Sequence, residues 1–206
     1  MSEETNLELF YKDIHSFTEE EESRFLLLAV PERREALAVM APAVRKASLC
    51  GEALAKQAIA TAWGIAIEEI QIKKDPKGKP YEVNHPDIFF SISHSRDKAV
   101  CAVHTSAVGV DIEYIRPVNK RLFAKCCTDK EQRYVEKADT EEEMSRRFLT
   151  LWTLKESYLK YTGQGLSGGL KTAEFIITNG IISSNKHGAF SSVCSNDGYI
   201  ISYCIL

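Results

Sequence analysis

The 206-residue sequence has no strong excess of either charge: 26 Lys and Arg stand against 29 Asp and Glu, a formal net charge of −3. A protein that grips nucleic acid regardless of sequence needs a strongly basic face. Nucleic acid is therefore not an expected partner, and any phosphate-binding site must be local. No run approaches the ~20 apolar residues of a membrane span. The acidic opening MSEETNLELFYKD lacks the basic start and apolar centre of a secretory signal. These absences predict a cytoplasmic protein with no membrane partner. The six cysteines, at 50, 101, 126, 127, 194 and 204, show no CxxC or zinc-type spacing, which in a reducing compartment makes them small buried hydrophobes. A strained redox pair between the vicinal Cys126 and Cys127 stays open as the alternative. Low-complexity segments, short repeats and long linkers are absent too. At 44% hydrophobic and 27% charged, the chain is long enough for one large domain or two small ones.

What is present reads as helices then strands, twice over. A first strand is expected near 7–11, and PERREALAVM opens a helical region on Pro31, a residue suited to a first helical turn. Helix covers most of 43–63, with Val44, Leu49 and Ala53 near one face and Ala60 and Trp63 following on. IKKDPKGKPY is a turn punctuated by Pro76, Gly78 and Pro80, and FFSIS starts a strand. The runs AVCAV and AVGVDIEYI, separated by His104, Thr105 and Ser106, look like a hairpin. Helices are expected over 128–138 and 142–161, then strands with Asn-Gly and Asn-Asp-Gly turns. This order is not βαβ alternation and predicts an α+β fold. Its two similar halves, 1–105 and 106–206, would meet near 105, and the active site is expected at that junction, a place that ligand sites favour.

Beside that boundary lies GVDIE. Side chains alternate along a strand, so Val110, Ile112 and Tyr114 point one way while Gly109, Asp111 and Glu113 point the other. Two carboxylates roughly 6–7 Å apart would repel by about 2–3 kcal/mol at an effective dielectric of 20. A partly buried pair therefore needs a cation, and oxygen ligands suit Mg²⁺, or Mn²⁺, rather than zinc. The plainer alternative is the solvated face of an edge strand.

Three further stretches bear on that choice. In LWTLKESYLKYTGQG, Phe148, Leu151, Trp152, Leu154, Tyr158, Leu159 and Tyr161 cover a wide apolar arc with Lys155 inside it. Glu156 and Lys160, spaced i to i+4, share its edge. They are either a routine surface pair or an acid and a base presented to a cleft, and Lys155 could simply snorkel. In SISHS, residues 91–95, hydroxyls and backbone N–H groups crowd a strand end where phosphate oxygens could be held, with His94 as donor or charge. A satisfied turn histidine is the alternative. In KKDPKGKP, Lys73, Lys74, Lys77 and Lys79 crowd a turn that is either solvated or a phosphate clasp.

In this order, GVDIE, WTLKESYLK and FSISHS resemble the signature of the phosphopantetheinyl transferases, specifically the larger, pseudodimeric surfactin-synthetase-activating type. Trp152, Lys155, Glu156, Ser157 and Lys160 match the family's W-x-x-K-E-(S/A)-x-x-K pattern, and the likeness extends to GKP at 78–80 and PERRE at 31–35. The resemblance implies transfer of the 4′-phosphopantetheine arm from coenzyme A to a serine of an apo acyl or peptidyl carrier protein, releasing adenosine 3′,5′-bisphosphate. It implies Mg²⁺ held by Asp111, Glu113 and Glu156, with Glu156 alternatively the acid–base group, and Lys160 on the pyrophosphate. Coenzyme A contacts carry over to Ser93 and His94, to Gly78 and Lys79, and to Arg33 near the 3′-phosphate. Gly109 would leave room for metal and pyrophosphate. The carriers of fatty-acid, polyketide and nonribosomal-peptide synthesis all lie within the implied range, and a monomer is implied. Ala36 stands where the family often has a second basic residue, and Arg45 or Lys46 substitute for one expected before SLCG. A coenzyme A or nucleotide-binding module without catalysis is the competing reading.

Overall fold

The computed structural model describes residues 7–165 and 169–206; the acidic opening, residues 1–6, on which part of the targeting argument rests, lies outside them. Two compact units follow one another, Met1–Val108 and Gly109–Leu206. The first contains β1 (Glu8–Asp13), α1 (Glu19–Leu28), α2 (Pro31–Ala38), α3 (Pro42–Trp63), β2 (Ile72–Lys74), β3 (Pro80–Glu82), β4 (Phe89–Ser95) and β5 (Lys98–His104). The second is entered by β6 (Val108–Tyr114) and continues with α4 (Arg121–Cys126), α5 (Asp129–Glu136), α6 (Glu141–Thr162), β7 (Phe175–Thr178), β8 (Ile181–Ser184), β9 (Ala189–Cys194) and β10 (Tyr199–Ile205).

The two series repeat one plan: a strand, two short helices, a helix of 22 residues, a 3-10 turn, a hairpin and two closing strands. The sheets repeat it as well. Their strand orders are β1-β5-β4 and β6-β10-β9, opening strand, last strand, penultimate strand. The fold is thus α+β, built of two similar halves.

Local chemistry explains the elements. Thr18 and Glu21 form a reciprocal capping box at α1, and Thr128 and Glu131 form another at α5, each satisfying backbone N–H groups that the first helical turn leaves open. Both long helices stop at a glycine in the left-handed region, Gly64 at φ +67° and Gly163 at φ +66°. In the first unit Leu49, Ala53 and Ile59 of α3 pack on Phe90, Cys101 and Val103 of the sheet. The buried stripe starts at Leu49, not at Val44, because the first turns of α3 are exposed. In the second unit Phe148, Leu151 and Leu154 of α6 pack on Phe175 and Ile200. Cys126 and Cys127 are buried, and burial pushes the Cys127 thiol up to about 12, so the vicinal pair is apolar filling rather than a reactive couple.

The expected hairpin of β5 and β6 does not form. Central β5 is flanked by β1 and β4, and β6 pairs with β10, so residues 105–107 link two sheets instead of turning within one. Conversely, IKKDPKGKPY is more than a turn: β2 and β3 pair across it.

The duplication also explains Lys155. At the fifteenth position of α6, its ammonium group is fully buried; it donates to Leu170 O at 2.9 Å and to Ala173 O, and pairs with Glu131 at 2.9 Å. Lys56, fifteenth in α3, is likewise buried and donates to Leu28 O and Ile70 O. Each lysine pins its long helix to carbonyls of the adjoining segments, and neither snorkels.

Candidate active site

Strand β6 and helix α6 approach with almost nothing between them. A Cβ on Gly109 would fall 1.9 Å from Ser157 O and 2.5 Å from Tyr161 N, inside any permitted contact. Gly109 therefore admits the helix backbone. The space that the sequence assigned to metal and pyrophosphate is filled by α6 itself. Because residues two apart share a strand face, the same close packing turns Asp111 toward the helix, from which Glu156 and Lys160 project one turn apart.

The outcome is a compact charged cluster. Lys160 Nζ donates to Asp111 Oδ1 at 2.7 Å across 49 residues of sequence, with the Asp111 side chain 8% and the Lys160 side chain 29% exposed. Glu156 Oε1 is buried and accepts no hydrogen bond. Its carboxyl is pushed up to about 7, first by burial and then by the negative charge of Asp111, with Glu113 adding and Lys160 opposing. Glu113 is held by Arg116, whose Nη1 reaches Glu113 Oε2 at 2.6 Å and Tyr114 O at 3.1 Å. The sequence motifs do not single out Arg116; its one signal is a spacing of three from Glu113 just past the strand.

Asp111, Glu113 and Glu156 are thus gathered in one electrostatic neighbourhood, but Lys160 draws the first and Arg116 the second. Among the described residues, no three His, Cys, Asp or Glu side chains stand close enough to hold a metal ion as they are placed. The donor set nonetheless suits a hard divalent cation: it consists of carboxylate oxygens, Glu156 Oε1 among them buried with no hydrogen bond, and Glu156 is pushed up by burial and by the other two acids.

The remaining candidates lie in the first unit. Arg33, on α2, bonds Glu52 Oε2 through Nε at 2.6 Å and Ser48 Oγ through Nη2 at 2.7 Å, with both charged partners nearly buried. Arg45, offered in place of a missing base, pairs with Glu22 at 3.1 Å. Gly78 takes φ +88° in the β2–β3 turn, where Asp75 Oδ1 accepts the N–H groups of Lys77 and Lys79 at 2.8 and 2.9 Å. On β4, Ser93 is buried and His94 is exposed, on opposite faces as alternation requires.

Fold and cluster together define an enzyme-like unit in which an acid of raised pKa adjoins a lysine and two further carboxylates. The comparisons give that class a family. Residues 107–204 match the 4′-phosphopantetheinyl transferase superfamily and residues 18–106 match the N-terminal part of 4′-phosphopantetheinyl transferase. The chain is 31% identical over 155 residues to 4′-phosphopantetheinyl transferase Sfp of Bacillus subtilis, an alignment covering 73% of this chain and 67% of that protein. It is 32% identical over 125 residues to 4′-phosphopantetheinyl transferase psf-1 of Bacillus pumilus (61% and 53%). With gsp of Aneurinibacillus migulanus identity is 35% over 119 residues (58% and 49%). The chain belongs to the 4′-phosphopantetheinyl transferase family, of the Sfp type, and spans about half to two thirds of the length of these relatives.

Proposed function

We propose that the protein transfers the 4′-phosphopantetheine arm of coenzyme A to a serine hydroxyl of an apo acyl or peptidyl carrier protein, with Mg²⁺ as the metal, releasing adenosine 3′,5′-bisphosphate. The observation that carries this reading is Glu156, a half-buried side chain whose Oε1 is buried and accepts no hydrogen bond, beside the Asp111–Lys160 pair. A carboxylate oxygen that accepts no hydrogen bond within the protein can take a proton. Glu156 would accept the serine proton, directly or through a water, as the hydroxyl attacks the β-phosphorus of the pyrophosphate. The bond to the bridging oxygen breaks and leaves charge on the departing phosphate. Lys160 would meet that charge on exchanging Asp111 for the pyrophosphate. Asp111 and Glu113 would hold Mg²⁺, with Glu156 its third ligand where it is not the base, and the ion would supply charge neutralisation at the pyrophosphate.

In the first unit, Ser93, His94, Gly78 and Lys79 are proposed for the coenzyme A phosphates, with Arg33 toward the 3′-phosphate. Arg33 already has Glu52 and Ser48 as partners through Nε and Nη2, so it would reach the phosphate through its remaining donors. A cytoplasmic monomer serving fatty-acid, polyketide or nonribosomal-peptide carriers goes with this reading. No helix among the described residues is long and apolar enough to cross a membrane.

The test incubates the chain with coenzyme A, Mg²⁺ and several apo carriers and weighs each carrier by mass spectrometry. A phosphopantetheine increment is expected, and Asp111→Ala should abolish it. No increment on any carrier refutes the activity; full activity of the Asp111 variant refutes the metal assignment.

A further inference from the structure

The cation holding Glu113 belongs to the chain itself. Arg116 occupies Glu113 Oε2 at 2.6 Å and keeps a second anchor, Tyr114 O, through the same nitrogen. The two ion pairs of the cluster differ in kind. Lys160–Asp111 is largely buried, whereas the Arg116 side chain is 47% exposed and that of Glu113 18%. Coulomb attraction weakens steeply in high dielectric, so a half-exposed pair is the easier one to part. A divalent cation brought to the same carboxylate meets the like charge of the guanidinium at close range, so the two compete for Glu113.

We propose that Arg116 is a displaceable latch on the metal site, a built-in cation that occupies Glu113 until a divalent ion evicts it and so sets how tightly that ion is held. The inference rests on the reading of Asp111, Glu113 and Glu156 as metal ligands. Evicted, the guanidinium keeps Tyr114 O and a ready berth, because Arg116 lines a cleft with Pro117, Val118, Asn119, Leu122 and Trp152. The latch needs no backbone movement, since one side chain exchanges one partner.

Mn²⁺ titration of the full chain without substrate, followed by the electron paramagnetic resonance signal of free Mn²⁺, tests this without recourse to activity. Arg116→Gln should bind Mn²⁺ roughly 3- to 10-fold more tightly than the unsubstituted chain. Arg116→Lys, which keeps a cation, should remain close to it. In a Glu113→Gln background Arg116→Gln should bring no gain, because the oxygen that the latch occupies is no longer a charged ligand. Circular dichroism checks that each variant is folded. Unchanged or weaker binding by Arg116→Gln overturns the latch. An equal gain in the Glu113→Gln background overturns it too, since a long-range field would then be the cause. If the unsubstituted chain binds no Mn²⁺ at all, the metal reading falls and takes the latch with it; binding with no effect of Arg116→Gln removes the latch alone.

Discussion

At the scale of single residues, Glu156 is the costly one. Its carboxyl is lifted from 4.5 to about 7 by burial and by the neighbouring Asp111. The fold thus prefers the protonated form, and linkage fixes the sign. The stabilising contribution of the neutral carboxyl is fully present below the unfolded value near 4.5 and is lost as pH rises through about 7. In chelator-treated protein, the urea midpoint should therefore fall between pH 5.5 and pH 8.5, and Glu156→Gln, neutral throughout, should flatten this component of the slope. A variant with the same slope as the unsubstituted chain would refute the assignment. The proximity of Glu156 and Lys160 was legible in sequence as an i to i+4 pair at the edge of an apolar arc. The Lys160–Asp111 bond was not, because its partners are 49 residues apart and only the packing of β6 on α6 joins them. Arg33 shows the converse: a lysine- or arginine-rich motif marks a base but not Glu52, the partner that already holds it.

At the scale of elements, the site depends on how closely one strand lies on one helix. Adding a methyl group at Gly109 would drive it into Ser157 O and Tyr161 N, both backbone atoms of α6 that no rotamer change can move. Gly109→Ala should destabilise the chain by about 3 kcal/mol, at the upper end of what overpacking costs, read as a lower urea midpoint. Any fully folded fraction should show Asp111 detached from Lys160. A midpoint like that of the unsubstituted chain would mean that strand and helix are not so closely apposed. The long helices were readable because a 3.6-residue apolar period persists over several turns of each. Helix α1, EEEESRFLLL, has little such period, and its surviving signal is the capping box of Thr18 and Glu21. Strand partners were misjudged where adjacency in sequence stood in for pairing: β5 and β6 are neighbours in the chain, but hydrogen bonds to β1, β4 and β10 decide their sheets.

At the scale of the whole molecule, the chain contains its own control. Both halves follow one plan, and both keep a buried lysine at the fifteenth position of the long helix, Lys56 and Lys155. A feature shared by the half with the acidic cluster and the half without it belongs to folding. Lys155 is therefore structural, although it stands inside the motif that carries the family resemblance. What the halves do not share points to function. The sixteenth and twentieth positions are Glu156 and Lys160 in α6 but Gln57 and Thr61 in α3. The first unit repeats the scaffold and omits the acid and the base. The duplicated fold should accordingly carry one divalent-cation site per chain, not two. Mn²⁺ titration should saturate at one equivalent. The double change Glu156→Gln with Lys160→Thr, which makes the α6 positions match those of α3, should remove that equivalent while leaving the thermal transition of the chain in place. Two equivalents in the unsubstituted chain, or one retained in the double variant, would place the metal elsewhere and break the link between the missing pair and the missing site.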